Sequence, residues 1–247
     1  VQGCCGEEFQ QHFKRNGKFV DDAGFVNFIR NGINSAVTLE KLDGIQIFSS
    51  LEQFSAKGCT ALTDASALFA LSELRWVDLK CTQVDSIQGV QNLRELRSLD
   101  VSNTRVSDLA PLADCDLSAA FEDLGFDLNI NELELTEEDF AAIGSIRRFS
   151  GLAFTDADPA VWIDALSDSE IHYFGAAGDL HSNEDLAAFV SDHPELRQLF
   201  LGWAENITDL TPLLALENLE RVEINGDMRE AIASLDGQSC DWLEIQN

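Results

Sequence analysis

The chain has 247 residues, 45% of them hydrophobic, and its 44 acidic side chains outnumber its 16 basic ones to give a net charge of −28. No run of 18 apolar residues occurs in the sequence, which excludes a membrane-spanning helix. So large a negative charge repels polyanions, which argues against nucleic acid and anionic membranes as ligands and favours a basic partner.

The acidic side chains are concentrated in the second half of the chain. Residues 1–110 carry 14 acidic and 11 basic side chains, whereas residues 111–247 carry 30 acidic and five basic. Two explanations stay open at this stage. The charge either keeps the protein soluble, as in a salt-adapted proteome, or attracts a basic partner and accelerates its association.

The N-terminal segment lacks the periodicity of the rest of the chain. Residues 1–18 predict an irregular lead-in, and residues 18–33 predict a helix with Asp21 as its N-cap. Because this helix precedes the first repeat, we expect it to cover the open apolar end of the repeats. Residues 1–36 are therefore assigned to a lead-in and a helical cap.

A regular repeat dominates the segment from residue 71 to residue 112. Six apolar positions of one copy recur in the next copy, all at the same sequence offset. The matching pairs are Leu74 and Leu96, Val77 and Leu99, Leu79 and Val101, Val84 and Val106, Ile87 and Leu109, and Val90 and Leu112. This spacing predicts short strands near residues 53–57, 75–79 and 97–101.

Two further sets of residues share the same offset. Thr60, Thr82 and Thr104 follow the predicted strands, where a ladder of hydroxyl groups would satisfy the turning backbone. Cys59 and Cys81 are separated by this offset as well, so we expect them to stack on neighbouring coils, as reduced thiols rather than as a disulfide.

The pattern L-x-x-L-x-L, followed by a small polar residue, resembles the leucine-rich repeat. Matching D-L-x-P-L blocks near residues 108 and 209 resemble the internalin type of bacterial repeat in particular. The resemblance implies an α/β solenoid over residues 37–247, with a parallel sheet on its concave face and loops and short helices on its convex face. It implies a binding scaffold but does not identify the partner.

After Leu112 the repeat becomes longer and less regular. Residues 113–129 predict an insertion or an irregular coil. Six more strands are predicted beyond it, around Ile130 to Leu135, Phe149 to Phe154, Ile171 to Ala176, Leu196 to Leu201, Leu219 to Ile224, and Cys240 to Ile245. Capping residues at Thr136, Asp158 and Ser182 predict short helices on the outer side of these coils.

The sequence offers no recognisable catalytic constellation. It lacks the phosphate-binding, dinucleotide-binding and nucleophile-elbow motifs, and it contains no C-x-x-C pair typical of zinc sites. His181 has acidic neighbours, but a solvated loop explains them more simply. We therefore predict no cofactor, no metal and no enzymatic activity.

Strand alternation predicts which side chains face the concave side. Aromatic residues exposed on a rigid sheet are frequent anchors of protein interfaces, and several are predicted here among acidic residues. The predicted partner-binding residues are Trp76, Glu132, Glu134, Tyr173, Gln198, Phe200, Trp203, Arg221, Glu223 and Trp242.

These features predict a scaffold that binds a basic protein on its acidic concave face, and an inhibitor or immunity protein is one specific form. The alternative is an adhesive or structural module at the cell surface. Residues Val1 to Cys4 resemble the end of a lipoprotein signal, so a lipid anchor at Cys4 and secretion are alternatives to the cytoplasmic location that we favour.

Overall fold

The computed structural model describes residues 25–27, 39–176, 180–202, 204, 206–225 and 228–246. The chain divides into two compact units, Val1–Leu133 (unit 1) and Glu134–Asn247 (unit 2). Each unit contains parallel strands, one short strand for each coil of the chain. None of the described helices is long and apolar enough to cross a membrane.

The described residues of unit 1 contain five strands that pair in chain order. They are β1 Phe25–Asn27, β2 Gln53–Ser55, β3 Trp76–Asp78, β4 Ser98–Asp100 and β5 Phe126–Asn129. Every pair is parallel, because each chain segment returns behind the sheet before it adds the next strand. The strands predicted near residues 53–57, 75–79 and 97–101 are thereby confirmed.

The return segments of unit 1 use short helical turns. They are the 3₁₀ helices Ile45–Ile47, Ser66–Ala70, Val90–Asn92 and Ala110–Asp114, and one short α-helix, α1 Ser118–Phe121. Most of their buried residues are aliphatic, as are the strand residues Val77 and Leu99, which are at most 1% exposed. The core of unit 1 is thus mostly aliphatic, with Phe54, Phe69 and Phe126 as its buried aromatic residues.

Strand β1 lies within the segment where the sequence predicts a helix. Phe25–Asn27 pairs in parallel with β2, and Phe25 lies opposite Gln53. At these three residues the helix prediction is wrong, because a paired strand edge supplies backbone hydrogen-bond partners that the local helix signal does not take into account. The remainder of the predicted helix and cap, and the boundary at residue 36, lie outside the described residues.

Thr60 does not align with Thr82 and Thr104 in the turns after the strands, as the sequence predicts it should. Strand β2 pairs with β3 at an interval of 23 residues, because Gln53 lies opposite Trp76 and Ser55 opposite Asp78. The same turn position is therefore occupied by Cys59 and Thr82, which are buried, and by Thr104, which is half-buried, whereas Thr60 is exposed. The hydroxyl of Thr82 donates to the Leu79 carbonyl at 2.7 Å, and that of Thr104 donates to the Val101 carbonyl at 2.7 Å.

The interval between β2 and β3 also places Cys59 and Cys81 at different positions of their turns. Cys81 occupies the left-handed position of the turn, with φ of 57°, in line with Gly58 at 77° and Asn103 at 52°. Cys59 is instead buried one position further on, so the two thiols do not stack. Both are free thiols, as are Cys115 and Cys240.

Residues 113–129 belong to the coil that joins β4 to β5, so of the two predicted alternatives the irregular coil is confirmed and the insertion is wrong. Strand β5 pairs with β4 at an interval of 29 residues, Ser98 lying opposite Asp127. The strand predicted around Ile130 to Leu135 is wrong: those residues form the turn after β5, with Glu132 at φ of 60°. The extra residues accommodate helix α1 behind the sheet.

Unit 2 contains longer strands and true α-helices. Its strands are β6 Arg148–Phe154, β7 Glu170–Ile171, β8 Tyr173–Ala176, β9 Gln198–Gly202, β10 Arg221–Asn225 and β11 Leu243–Gln246. Strands β7 and β8 both pair with β6, and β8 to β11 then pair in chain order, all in parallel. The five predicted strands from residue 149 onward are confirmed.

Three of the helices of unit 2 begin at the predicted caps. They are α2 Glu137–Gly144, α3 Pro159–Leu166, α4 Asn183–Asp192 and α5 Arg229–Ala233, with a 3₁₀ helix at Thr211–Ala215. Thr136 and Asp139 form a reciprocal capping box, and Asp158 and Ser182 cap the next two helices. Helix α2 meets α3 closely at Gly144, where a Cβ atom would lie 2.1 Å from the Ala165 carbonyl oxygen.

The core of unit 2 is aromatic. Phe154, Trp162, Phe174 and Phe189 are fully buried, and their ring centroids lie 4.3 to 5.6 Å apart. Most of these pairs meet edge to face, the arrangement that the ring quadrupoles favour. Trp162 and Phe189 come from the helices and the other two from strands, so the rings join the helical layer to the sheet.

Candidate functional site

The solvent-facing positions of the unit 2 strands form two rows of side chains across the sheet. Tyr173, Gln198 and Arg221 lie side by side in the first row. Ala153, Gly175, Phe200, Glu223 and Glu244 form the second. We call these eight residues the strand face of unit 2. Because the inward strand residues bury the aromatic core, only the outward residues can meet another molecule.

Tyr173 and Phe200 border a shallow apolar area on this face. Tyr173 is 37% exposed, and its ring lies over Gly175, where a Cβ atom would be 3.0 Å from the Tyr173 hydroxyl oxygen. Phe200 is half-buried on the other side of Gly175. The lack of a side chain at Gly175 thus lets the tyrosine ring lie along the sheet.

Glutamates flank the aromatic pair and hold the nearest arginine. The Arg221 guanidinium contacts the Glu244 carboxylate at 2.8 Å and also pairs with Glu223. The hydrogen bond from Arg221 to Glu244, together with the charges of both glutamates, raises the pKa of Arg221. One cation shared by two carboxylates leaves this end of the face with a net negative charge.

A second ionic group lies on β6 and β7. Arg148 donates to Glu170 at 2.8 Å, and the His172 ring lies 2.9 Å from the other Glu170 oxygen. Partial burial acts to raise the pKa of Glu170, but the hydrogen bonds from Arg148 and His172 outweigh it and lower that pKa. Glu170 therefore stays ionised beside the strand face.

Unit 1 presents a different outward surface. Trp76 is 39% exposed on β3. Beside it, Asp78 lies opposite Asp100, and Asp127 occupies the next strand. Ser55 donates to Asp78 at 3.0 Å and Ser98 donates to Asp127 at 2.9 Å. Burial raises the pKa of both Asp78 and Asp127, and the negative charge of Asp100 adds to the shift.

These geometries place the predicted binding residues in different environments. Tyr173, Gln198, Phe200, Arg221 and Glu223 lie together on the strand face of unit 2. Trp76 lies on the unit 1 strands. Trp242 is half-buried in the turn before β11, and its carbonyl accepts a hydrogen bond from Val222 at 2.7 Å. Trp203 lies outside the described residues.

The strand positions predicted for Glu132 and Glu134 are wrong. Both are exposed, but neither lies on a strand: Glu132 is in the turn after β5, and Glu134 is in the loop before α2. The sequence predicts them to face outward from a strand around Ile130 to Leu135, whereas the strand forms earlier, at Phe126–Asn129. The outward residues of this strand are Asp127 and Asn129 instead.

Comparison with known structures identifies the fold. The chain aligns with internalin C2 of Listeria monocytogenes strain 4b F2365 with a TM-score of 0.52 and 16% sequence identity, over 81% of this chain and 84% of that protein. The fold is an internalin-like leucine-rich-repeat solenoid. A leucine-rich-repeat protein of Leptospira interrogans aligns with a TM-score of 0.45 and 14% identity, over 82% of this chain and 56% of its own. No protein-family model and no curated protein sequence matches the chain.

Within the described part of this leucine-rich-repeat chain, no three His, Cys, Asp or Glu side chains are grouped so that they could hold a metal ion. Burial raises the pKa of the Cys59 and Cys115 thiols to about 11, so neither is ionised at neutral pH, as a nucleophilic thiol would have to be.

The sequence analysis does not identify outward residues whose position depends on strand pairing. Asp127 lies in the segment predicted to be an insertion or an irregular coil, although the alternation of Phe126, Leu128 and Ile130 with polar residues is typical of a half-buried strand. The Arg148 and Glu170 pair was also missed, because the two residues are distant in the chain and meet only across the sheet.

Proposed function

We propose that this leucine-rich-repeat protein binds another protein through the strand face of unit 2, and that the bound surface of the partner is basic. The observation that carries the proposal is the pair of outward aromatic rings, Tyr173 and Phe200, on adjacent strands beside Glu223 and Glu244. Aromatic residues at the centre of an interface, surrounded by polar groups, contribute most of the binding energy in many protein complexes.

The charge of unit 2 supports a basic partner. Residues 134–247 hold 24 acidic and five basic side chains, and three of the five arginines pair with glutamates. The remaining carboxylates attract positive charge over distances comparable to the Debye length, about 8 Å at physiological salt. An inhibitor or immunity protein that neutralises a basic partner is the specific form of this proposal.

The test places a photo-crosslinking phenylalanine analogue at position 200 and irradiates the protein in an extract of its native host. We expect a basic protein to crosslink, with a yield that falls as salt rises because the attraction is screened. The control carries the analogue at Leu214, which is 41% exposed on a 3₁₀ helix. An equal yield of the same protein at both positions would contradict the proposal.

Substitution then measures the contribution of the rings. Phe200→Ala should weaken binding of the identified partner by about 2 kcal/mol, the scale of an interface hot spot, while Leu214→Ala should leave it unchanged. Because the Phe200 side chain is only half-buried, its removal should lower the melting temperature far less than removal of a core ring. A large fall in melting temperature would show that the ring belongs to the core.

A further inference from the structure

A groove on the helical side of unit 2 lies between α3 and α4, on elements that contribute nothing to the strand face. The inner faces of these helices pack into the core, where Trp162 and Leu166 of α3 and Leu186 and Phe189 of α4 are fully buried. Their outer faces border an open groove with a volume of about 580 Å³. This volume is within the range of clefts that bind ligands, about 300–1,000 Å³.

Part of the lining of the groove is apolar. Pro159, Ala160 and Ile163 line it from α3, and Ala188 lines it from α4. Ile163 is half-buried, whereas Ala160 and Ala188 are exposed. Since Ala160 and Ile163 are three residues apart, they lie on one face of their helix, and the small alanines leave room beside the isoleucine.

Four carboxylates also line the groove. They are Asp158, the N-cap of α3, Asp164 of α3, and Glu184 and Asp185 of α4, and His181 lines the groove as well. Among the residues that the structure describes, no Lys or Arg forms an ion pair with any of these four carboxylates. Apolar side chains beside carboxylates without a basic partner are complementary to an apolar side chain with cationic neighbours.

Local hydrogen bonds hold both walls of the groove. The Asp158 carboxylate accepts from the Ala160 amide at 3.0 Å, which fixes the start of α3. The Asn183 side-chain carbonyl oxygen accepts from the Thr208 and Asp209 amides at 2.9 and 3.1 Å, which ties the start of α4 to the next coil. Because both walls are already fixed, they lose little conformational freedom when a ligand binds, which lowers the entropic cost of binding.

We infer that this groove is a second docking surface, and that it receives a protein segment in which leucine-like side chains are flanked on both sides by Lys or Arg. The apolar side chain would lie over Ile163 and Ala188, and the flanking cations would lie at Asp164 and Glu184. This surface is independent of the strand face, because it is built from the helices.

The experiment titrates the ¹⁵N-labelled full chain with the blocked peptide Lys-Arg-Leu-Leu-Arg-Lys and follows amide shifts by NMR. We expect shifts concentrated in α3 and α4, and affinity at least about tenfold greater than for Lys-Arg-Ser-Ser-Arg-Lys, which keeps the charge but lacks the apolar side chains. Equal affinity for the two peptides, or shifts spread over all acidic surfaces, would overturn the inference.

Two variants locate the site. Ile163→Ser should remove the preference for the leucine peptide, and Asp164→Lys with Glu184→Lys should weaken its binding at least about tenfold. The matched control is Glu195→Lys with Glu217→Lys, which makes the same charge change at exposed turns of the same unit and should have less than about a twofold effect. If the control weakens binding as much as the groove variant, net charge alone explains the binding and the inference fails. Circular dichroism establishes that each variant is folded.

Discussion

The two units build parallel strands from the same kind of repeat, but they fill and charge them differently. Unit 1 buries aliphatic side chains such as Val77 and Leu99 behind strands of three or four residues and returns mostly through 3₁₀ turns. Unit 2 buries a cluster of aromatic rings behind longer strands and returns through capped α-helices. Residues 1–133 carry 20 acidic and 11 basic side chains, against 24 and five in residues 134–247.

The return segments of the two units explain why their cores differ. A short 3₁₀ return needs little volume, so mostly aliphatic side chains fill unit 1, together with Phe54, Phe69 and Phe126. A helical return stands further from the sheet, and large rings such as Trp162 and Phe174 fill the added space. The helices also create the groove between α3 and α4.

The largest expected effect tests the contrast between the two cores. Phe174→Ala should lower the free energy of unfolding by about 3–5 kcal/mol, because the ring contacts Phe154, Trp162 and Phe189 and leaves a large cavity. Leu99→Ala, at a buried strand position of unit 1, should cost about 2–5 kcal/mol. Hydrogen exchange measured by mass spectrometry resolves each unit, and each loss should appear in the unit that carries the change. An equal loss of protection in both units would break the comparison.

The second expected effect is a pH dependence confined to unit 2. His193 is 1% exposed against Phe189, and burial lowers its pKa from 6.5 to about 4. The unfolded chain therefore binds the proton more readily, so the stability contributed by neutral His193 is fully present above pH 6.5 and is lost as pH falls towards 4. The loss amounts to about 3 kcal/mol.

Substitution at this residue isolates its contribution. His193→Phe should flatten the pH dependence of unit 2 between pH 4 and 6.5, measured by hydrogen exchange at several pH values. The control is His181→Gln, because His181 is exposed and its replacement should leave the dependence in place. An unchanged slope in the His193 variant would show that other groups cause the acid sensitivity.

The smallest expected effect is an increase in stability, caused by a change in unit 1. Asp100→Asn should raise the free energy of unfolding at pH 7 by about 0.2–1 kcal/mol, because it removes a like charge directly opposite Asp78. The raised pKa values of Asp78 and Asp127 mean that the folded state binds their protons more readily, so the repulsion is lost as pH falls through those values. The gain should therefore disappear in acid.

The control for this change is Asp85→Asn, an exposed carboxylate away from the strands. Urea unfolding of both variants at pH 7 and at pH 3 measures the difference. A gain of similar size in the control would attribute the effect to net charge rather than to the paired strands.

Much of the fold could be predicted because its signals are local or periodic. The recurrence of Leu74 at Leu96 marks one coil after another, and the cap Asp158 before Pro159 fixes the start of a helix without reference to any other segment. The candidate site was predicted in part for the same reason: strand alternation alone places Tyr173 and Phe200 outward.

The rest depended on pairing between distant residues. The constant offset between the copies at residues 71–112 does not reveal that the β2 to β3 step and the β4 to β5 step are both longer. These two steps decide that Cys59 rather than Thr60 is buried and that Asp127 rather than Glu132 faces outward. The strand at Phe25–Asn27 likewise exists through its partner, since its own sequence favours a helix.

The sequence by itself thus determined the repeat, most of the inward residues and three of the helix starts, because each follows from neighbouring residues or from a constant spacing. Only the tertiary structure decided the register, the pairing of Arg221 with Glu244, and the groove between α3 and α4. Those features join residues that are far apart in the chain, and backbone hydrogen bonds between strands bring them together.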